Sequence, residues 1–172
     1  RGLELTSTDL LKNYLFSLVK SKVDIGNLQI QWRSIANTVG IRQFPEFLRY
    51  YINSRQRLIR KERLFKEIRS QVKNQKDVFE LLQNLEDSAD IYVALDDFEN
   101  DLWKDNTETR NLIKELSLFK IKQHKPLLMI AYSSQLSSEL SKVLRIVRAL
   151  VFRYNIIGGL NPNMWEDICN KA

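Results

Sequence analysis

Twelve residues, Asp97 to Glu108, set oxygen-bearing side chains at positions one, three, five, nine and twelve: Asp97, Glu99, Asp101, Asp105 and Glu108. That is the spacing with which a loop wraps a calcium ion. The sixth position of such a loop needs the sharp turn that glycine permits, and here it is Leu102; the eighth, where an apolar side chain packs, is Lys104. A solvated acidic loop is the expectation, with no metal bound. The single histidine, His124, would need a Ser, Thr or Cys beside it and a third group to orient its ring before it could act as a base. No such local pattern surrounds it, and Lys122-Gln123-His124-Lys125 reads as a polar link in which the imidazole is solvated or caps a helix. One His and one Cys exclude a multi-His site or a Cys₂His₂ finger. Cys169, beside Ile168, is expected to be a small buried hydrophobe. Gly158-Gly159 lacks the strand-turn-helix setting and third glycine of a phosphate loop and is expected to stop a helix.

Charge supplies the remaining candidate. The net charge of +6 conceals blocks of opposite sign. Residues 55–76 hold nine basic and two acidic groups, net +7, and residues 77–109 hold one basic and eleven acidic groups, net −10. A local field of this kind, more than the overall sum, attracts a polyanion. The candidate nucleic-acid-binding residues are Arg55, Arg57, Arg60, Arg63, Lys66, Arg69 and Lys73, whose contacts with phosphates would be independent of sequence and sensitive to salt. The competing expectation is that the +7 and −10 segments fold as an antiparallel helix pair and satisfy each other's charges.

The elements that must carry these residues are helical. At 172 residues and 44% apolar content the chain can bury a core, and five Gly and three Pro are too few for a turn-rich β fold. Thr6-Ser7-Thr8-Asp9 resembles a capping box ahead of Leu10, Leu11, Tyr14, Leu15, Leu18 and Val19, which predicts a helix ending near Ser21. Asp24 is expected to cap a second helix, with Ile25, Leu28, Trp32, Ile35 and Val39 at intervals of three and four up to Gly40. Pro45 suits the first turn of a short aromatic helix, Phe44 to Ser54. In the basic stretch Leu64, Phe65, Ile68 and Val72 share one arc, with Arg63, Lys66, Arg69 and Lys73 on the opposite flank. An acidic helix from about Asp77 to Leu95 buries Val78, Leu81, Leu82, Leu85, Ala89 and Tyr92. Residues 96–106 are predicted as a loop with at most one helical turn. Further helices carry Leu112, Ile113 and Leu116; the apolar Leu127 to Tyr132; Leu140, Val143, Leu144, Val147, Leu150, Val151 and Tyr154 on the buried face of a long helix from about Leu136 to Ile157; and a terminal stretch burying Met164, Trp165 and Ile168. The expected fold is all-α, an irregular bundle of about seven to nine helices forming one domain. Pro126 to Ser138, the longest uncharged run, is too short for a transmembrane helix, which needs about 20 apolar residues. Arg1 in place of Met predicts a piece of a longer protein, and reduced cytosol is the expected compartment.

The run Gly2-Leu3-Glu4-Leu5-Thr6-Ser7-Thr8-Asp9-Leu10-Leu11-Lys12-Asn13-Tyr14-Leu15-Phe16 resembles the junction in the GmrSD-type restriction endonuclease family where a ParB/sulfiredoxin-like domain gives way to helices. Trp32, Phe44 to Tyr51 followed by the basic Leu64-Phe65 helix, Asp90-Ile91-Tyr92 and Pro126-Leu127-Leu128-Met129-Ile130-Ala131 are similar to later parts of that region. So is Leu150 to Asn161, with Arg153, Ile157, Gly158 and Asn161. The sequence departs from the family at Gly159 and Asn163. The resemblance implies the helical middle of a modification-dependent restriction protein, a scaffold between a nucleotide-using N-terminal domain and an HNH-type nuclease. Neither domain's motif occurs: there is no Asp-Gly pair, and one His cannot build an HNH site. No catalytic residue can be carried over, so the chain is expected to be non-enzymatic and free of cofactors. Its expected partners are its own flanking domains and, through the basic helix, DNA. The alternative is a protein-interaction module that docks partner helices through apolar surface.

Overall fold

A computed structural model describes residues 7–56, 58–60, 63–134, 139–162, 164 and 167. The protein is all-α. Eight α-helices and no strand occur among the described residues: α1 Ser7–Ser17, α2 Lys22–Val39, α3 Phe44–Asn53, α4 Leu64–Gln71, α5 Gln75–Ala94, α6 Thr107–Leu118, α7 Lys125–Ser133 and α8 Leu140–Val151. A 3₁₀ turn at Asp101–Trp103 precedes α6, and a π-helical segment, Phe152–Ile157, continues α8. The chain divides into two compact units, Arg1–Ile52 with Ile59–Asp90, and Asn53–Leu58 with Ile91–Ala172.

In the first unit most of the predicted stripe residues are buried, but Leu10, assigned to the α1 stripe, is 38% exposed. Leu28, Trp32, Ile35 and Val39 of α2 are 5% exposed or less, and Val78, Leu82, Leu85 and Ala89 of α5 are almost fully enclosed. Gly40 stops α2 with φ 88°, where an L side chain is strained, while its N–H donates to the Ala36 carbonyl at 2.9 Å. The chain then turns directly into α3, whose Phe44 meets Trp32 edge-to-face at 5.0 Å. α4 packs on α1. The Tyr14 hydroxyl donates to the Val72 carbonyl at 2.7 Å, and its ring meets Phe65 edge-on at 6.0 Å.

Several boundaries differ from expectation, each for a local reason. α1 ends at Ser17 rather than near Ser21, because Leu18 and Val19 N–H groups turn back to carbonyls three residues earlier. Ser21, not Asp24, caps α2: its side chain accepts from Asp24 N, while the Asp24 carboxylate accepts from Gln75 Nε2 at 2.9 Å. α5 starts two residues early, at Gln75. Asn74 Oδ1 accepts from Asp77 N, and Asp77 Oδ2 accepts from the Lys73 and Asn74 N–H groups, a reciprocal capping box. These bonds, that from Lys73 first, lower the Asp77 pKa from its ordinary value.

The second unit is organised around Trp103, 2% exposed, whose Nε1 donates to the Ala94 carbonyl at 2.8 Å and whose ring meets Tyr132 edge-on at 6.0 Å. The expected loop thus carries one turn and a core anchor. α6 and α8 pack through Leu112, Ile113 and Leu116 against a buried face of Leu140, Leu144, Val147 and Val151. Arg145–Glu108 and Arg148–Glu115, both at 2.7 Å, join the same helices at the surface. The long final helix is corrected in two ways. Its α-helical part stops at Val151, where the π segment widens the turn, and Leu150, assigned to the buried face, is 45% exposed. Met164, assigned to a buried terminal face, is 58% exposed; Trp165, Ile168 and Cys169 lie outside the described residues.

Candidate nucleic-acid interface

α4 is held by Leu64 and Ile68, each 1% exposed, and by Val72 just beyond its end. At about 100° per residue, Lys66 stands on the side of the helix opposite the mean direction of Leu64 and Ile68, with Arg63 and Arg69 about 60° to either side. Arg60, Arg63, Lys66, Arg69 and Lys73 are all exposed. Arg63 occupies the N-cap position and its N–H turns back to the Arg60 carbonyl at 2.9 Å. Two of these cations have local tasks. The Arg69 guanidinium lies over the Tyr14 ring, 5.7 Å from its centre, and Lys73 Nζ donates to the Arg69 carbonyl at 2.8 Å, satisfying a C-terminal orphan of α4. Arg55 belongs to the second unit, where its Nη1 donates to Ser54 Oγ at 3.3 Å. Arg57 lies outside the described residues.

Among the described residues, the expected pairing of charge blocks does not form between the α4 cations and α5: no ion pair links these cations with the α5 carboxylates. Asp77 is occupied by the capping box and Asp87 accepts from Gln83 within α5. The hydrophobic stripes decide this. α4 lays its apolar side on α1, so its cationic side faces away from that contact.

Compared with protein-family models, characterised proteins and solved structures, the chain matches none.

Three of the five acidic side chains of the loop are engaged by its backbone or by cations. Asp97 Oδ1 accepts from Glu99 N, Glu99 lies 4.0 Å from Arg110, and Glu108 pairs with Arg145. Among the described residues no group of three or more His, Cys, Asp or Glu side chains could hold a metal ion.

Sequence reasoning missed a buried polar cluster in the second unit. His124 and Lys125 are 5% and 1% exposed, whereas a solvated link was expected. His124 does stand at the N-cap position of α7, but its side chain makes no capping bond, and its buried Nδ1 has no hydrogen-bond partner. Burial first, and then the neighbouring Lys125 charge, lower its pKa from 6.5 to about 4; Asp96 opposes them. Lys125 Nζ donates to Asp96 Oδ2 at 2.6 Å and to the Tyr92 carbonyl at 3.3 Å, and sits 3.9 Å from the centre of the Tyr92 ring. The cluster ties the start of α7 to the end of α5. Its partners lie 29 and 33 residues from Lys125, so no short motif announces it.

Proposed function

We propose that this chain is a non-catalytic helical module that binds the phosphate backbone of DNA through the exposed face of α4. In this proposal it serves as the scaffold of a restriction-type defence protein, the setting that the resemblance to the GmrSD family implies. The supporting observation is the exposure of Arg60, Arg63 and Lys66, which have no ion pair among the described residues although a −10 segment follows them in the chain. Three cations around the start of α4 also oppose the helix dipole, which favours negative charge there. An arrangement that costs local stability is explained if the cations serve an anion outside the chain.

The test is binding of a labelled duplex across a salt series. Retention should be independent of sequence and should weaken with salt by about 0.9 log unit per log unit for each phosphate neutralised. The triple variant R60E/R63E/K66E should lose retention and keep its melting temperature, since acidic residues at a helix start complement the dipole. Arg69 and Lys73 are left alone because of their contacts with Tyr14 and the α4 carbonyl. A parent chain not retained at low salt, or a triple variant that binds as the parent does, refutes the proposal.

The second proposal, a protein-docking module, is favoured by a different observation. Ile146, Leu150, Ile156 and Ile157, on α8 and the π segment, are 45–70% exposed. Single exposed apolar residues are ordinary, but a run of them along one continuous element is a surface suited to another helix.

A further inference from the structure

A cleft of about 430 Å³ opens in the first unit between α1, α2 and the turn that leads into α3. Its wall is apolar on one side, formed by Trp32, Ala36, Ile41, Phe44 and Pro45. Ile41, immediately after the Gly40 stop, is 78% exposed and stands at the rim, while Trp32 and Phe44, 5% and 3% exposed, form the floor. Two cations reach the cleft from separate helices, Lys12 from α1 and Arg33 from α2. The Lys12 ammonium lies over the Phe16 ring, 5.8 Å from its centre, and among the described residues neither cation has a carboxylate partner. Asp9 is the one carboxylate on the wall and is already engaged in a contact of its own, so the lining is net positive. Asn37 adds an exposed amide, and the buried Thr8 Oγ1 has no hydrogen-bond partner.

We propose that this cleft binds a small planar organic anion. Its acidic group would lie between Lys12 and Arg33, and its ring against Ile41, Pro45 and the Trp32–Phe44 floor. The volume lies in the range of small-molecule sites, and the combination of an apolar wall with a few convergent polar groups is what such sites share. Neither half of the lining suffices alone. Two partly solvated cations hold a simple inorganic anion weakly, and an open apolar wall holds a neutral ring weakly. An anion carried on a ring uses both. Thr8 and Asn37 provide hydrogen bonds that orient the acidic group or a ring substituent. Carboxylates and phosphate esters share this chemistry. None of the α4 cations lines the cleft, so the variants that test it leave the proposed DNA-binding residues in place.

The test is a titration of the ¹⁵N-labelled chain, followed by the Trp32 indole N–H and the Ile41 amide. Four probes are used: phenyl phosphate, benzoate, inorganic phosphate and benzyl alcohol. At least one aromatic anion should give saturable shifts confined to α1, α2 and residues 40–45. Benzyl alcohol and inorganic phosphate should each bind at least about tenfold more weakly, a difference of about 1.4 kcal/mol. Tighter binding of benzoate assigns a carboxylate and tighter binding of phenyl phosphate assigns a phosphate ester. The double variant K12Q/R33Q should weaken the aromatic anion by about tenfold, and I41D should weaken it too. All three positions are at least partly exposed, so these variants should keep the fold, which an unchanged spectrum elsewhere verifies. Absence of saturable shifts up to about 10 mM, equal binding of benzyl alcohol, or unchanged binding by K12Q/R33Q overturns the proposal.

Discussion

The Lys125–Asp96 pair predicts an asymmetry that its 2.6 Å contact alone does not. The two ends sit in different surroundings: the Lys125 side chain is 1% exposed and that of Asp96 is 43% exposed. Asp96→Ala removes the carboxylate and leaves an ammonium inside the protein, with the Tyr92 carbonyl and ring as retained neighbours. Removing one partner of a fully buried pair costs about 3–5 kcal/mol. Because this pair is half in water, about 3 kcal/mol is expected. Lys125→Met keeps most of the side-chain volume and leaves a carboxylate that water can solvate. Its cost should be about 1 kcal/mol, chiefly the weakened packing and the lost 3.3 Å bond to the Tyr92 carbonyl. The double variant should resemble Lys125→Met, since Asp96→Ala is harmless once the ammonium is gone. Urea denaturation at pH 7 measures all three, and the differences should appear in the midpoint with the slope unchanged. Equal losses from the two single variants, or a loss under about 1 kcal/mol for Asp96→Ala, would refute the assignment of Lys125 as a buried charge that depends on its counter-ion.

Three other outcomes follow from single contacts. His124, held neutral with a pKa of about 4 against 6.5, binds fewer protons folded than unfolded between those values. Its contribution is therefore complete above pH 6.5 and falls by roughly 3 kcal/mol as the pH drops to 4. Denaturation from pH 4 to 7 should show this slope, flattened in His124→Leu, and an NMR titration placing His124 above 6 would contradict it. Asn74→Ala deletes the acceptor for Asp77 N and should cost about 1 kcal/mol by thermal melting; no loss would mean that water replaces the cap. Gly40→Ala meets no steric neighbour but must adopt φ 88°, so a loss of about 1–3 kcal/mol is expected from backbone strain alone. An unchanged midpoint would show that the α2 stop tolerates an ordinary residue.

The sequence by itself determined the helices and which side of most of them is buried. Trp32, Leu85, Tyr92, Leu144, Val147 and Val151, placed in the core by spacing, are all at most 5% exposed. The reason is local: apolar residues three and four apart can leave water together only if the backbone is helical. Cap identities were legible only to within a few residues, because Ser21 and Asp24, or Asn74 and Asp77, are equally able to accept an N–H. The geometry of one turn chooses between them. The site was legible as a set of cations and not as a surface. Charge counting cannot tell whether a +7 segment faces a −10 segment, since exposed pairs contribute too little to direct packing. Burial of Leu64, Ile68 and Val72 and the packing of α4 on α1 decided that Arg60, Arg63 and Lys66 stay exposed. Tertiary structure alone brought Lys125 to Asp96 and Tyr92, and Lys12 and Arg33 to one cleft. Each of these contacts joins residues far apart in the chain, and a side chain's protein partners there depend on which elements pack together, a choice no local pattern encodes.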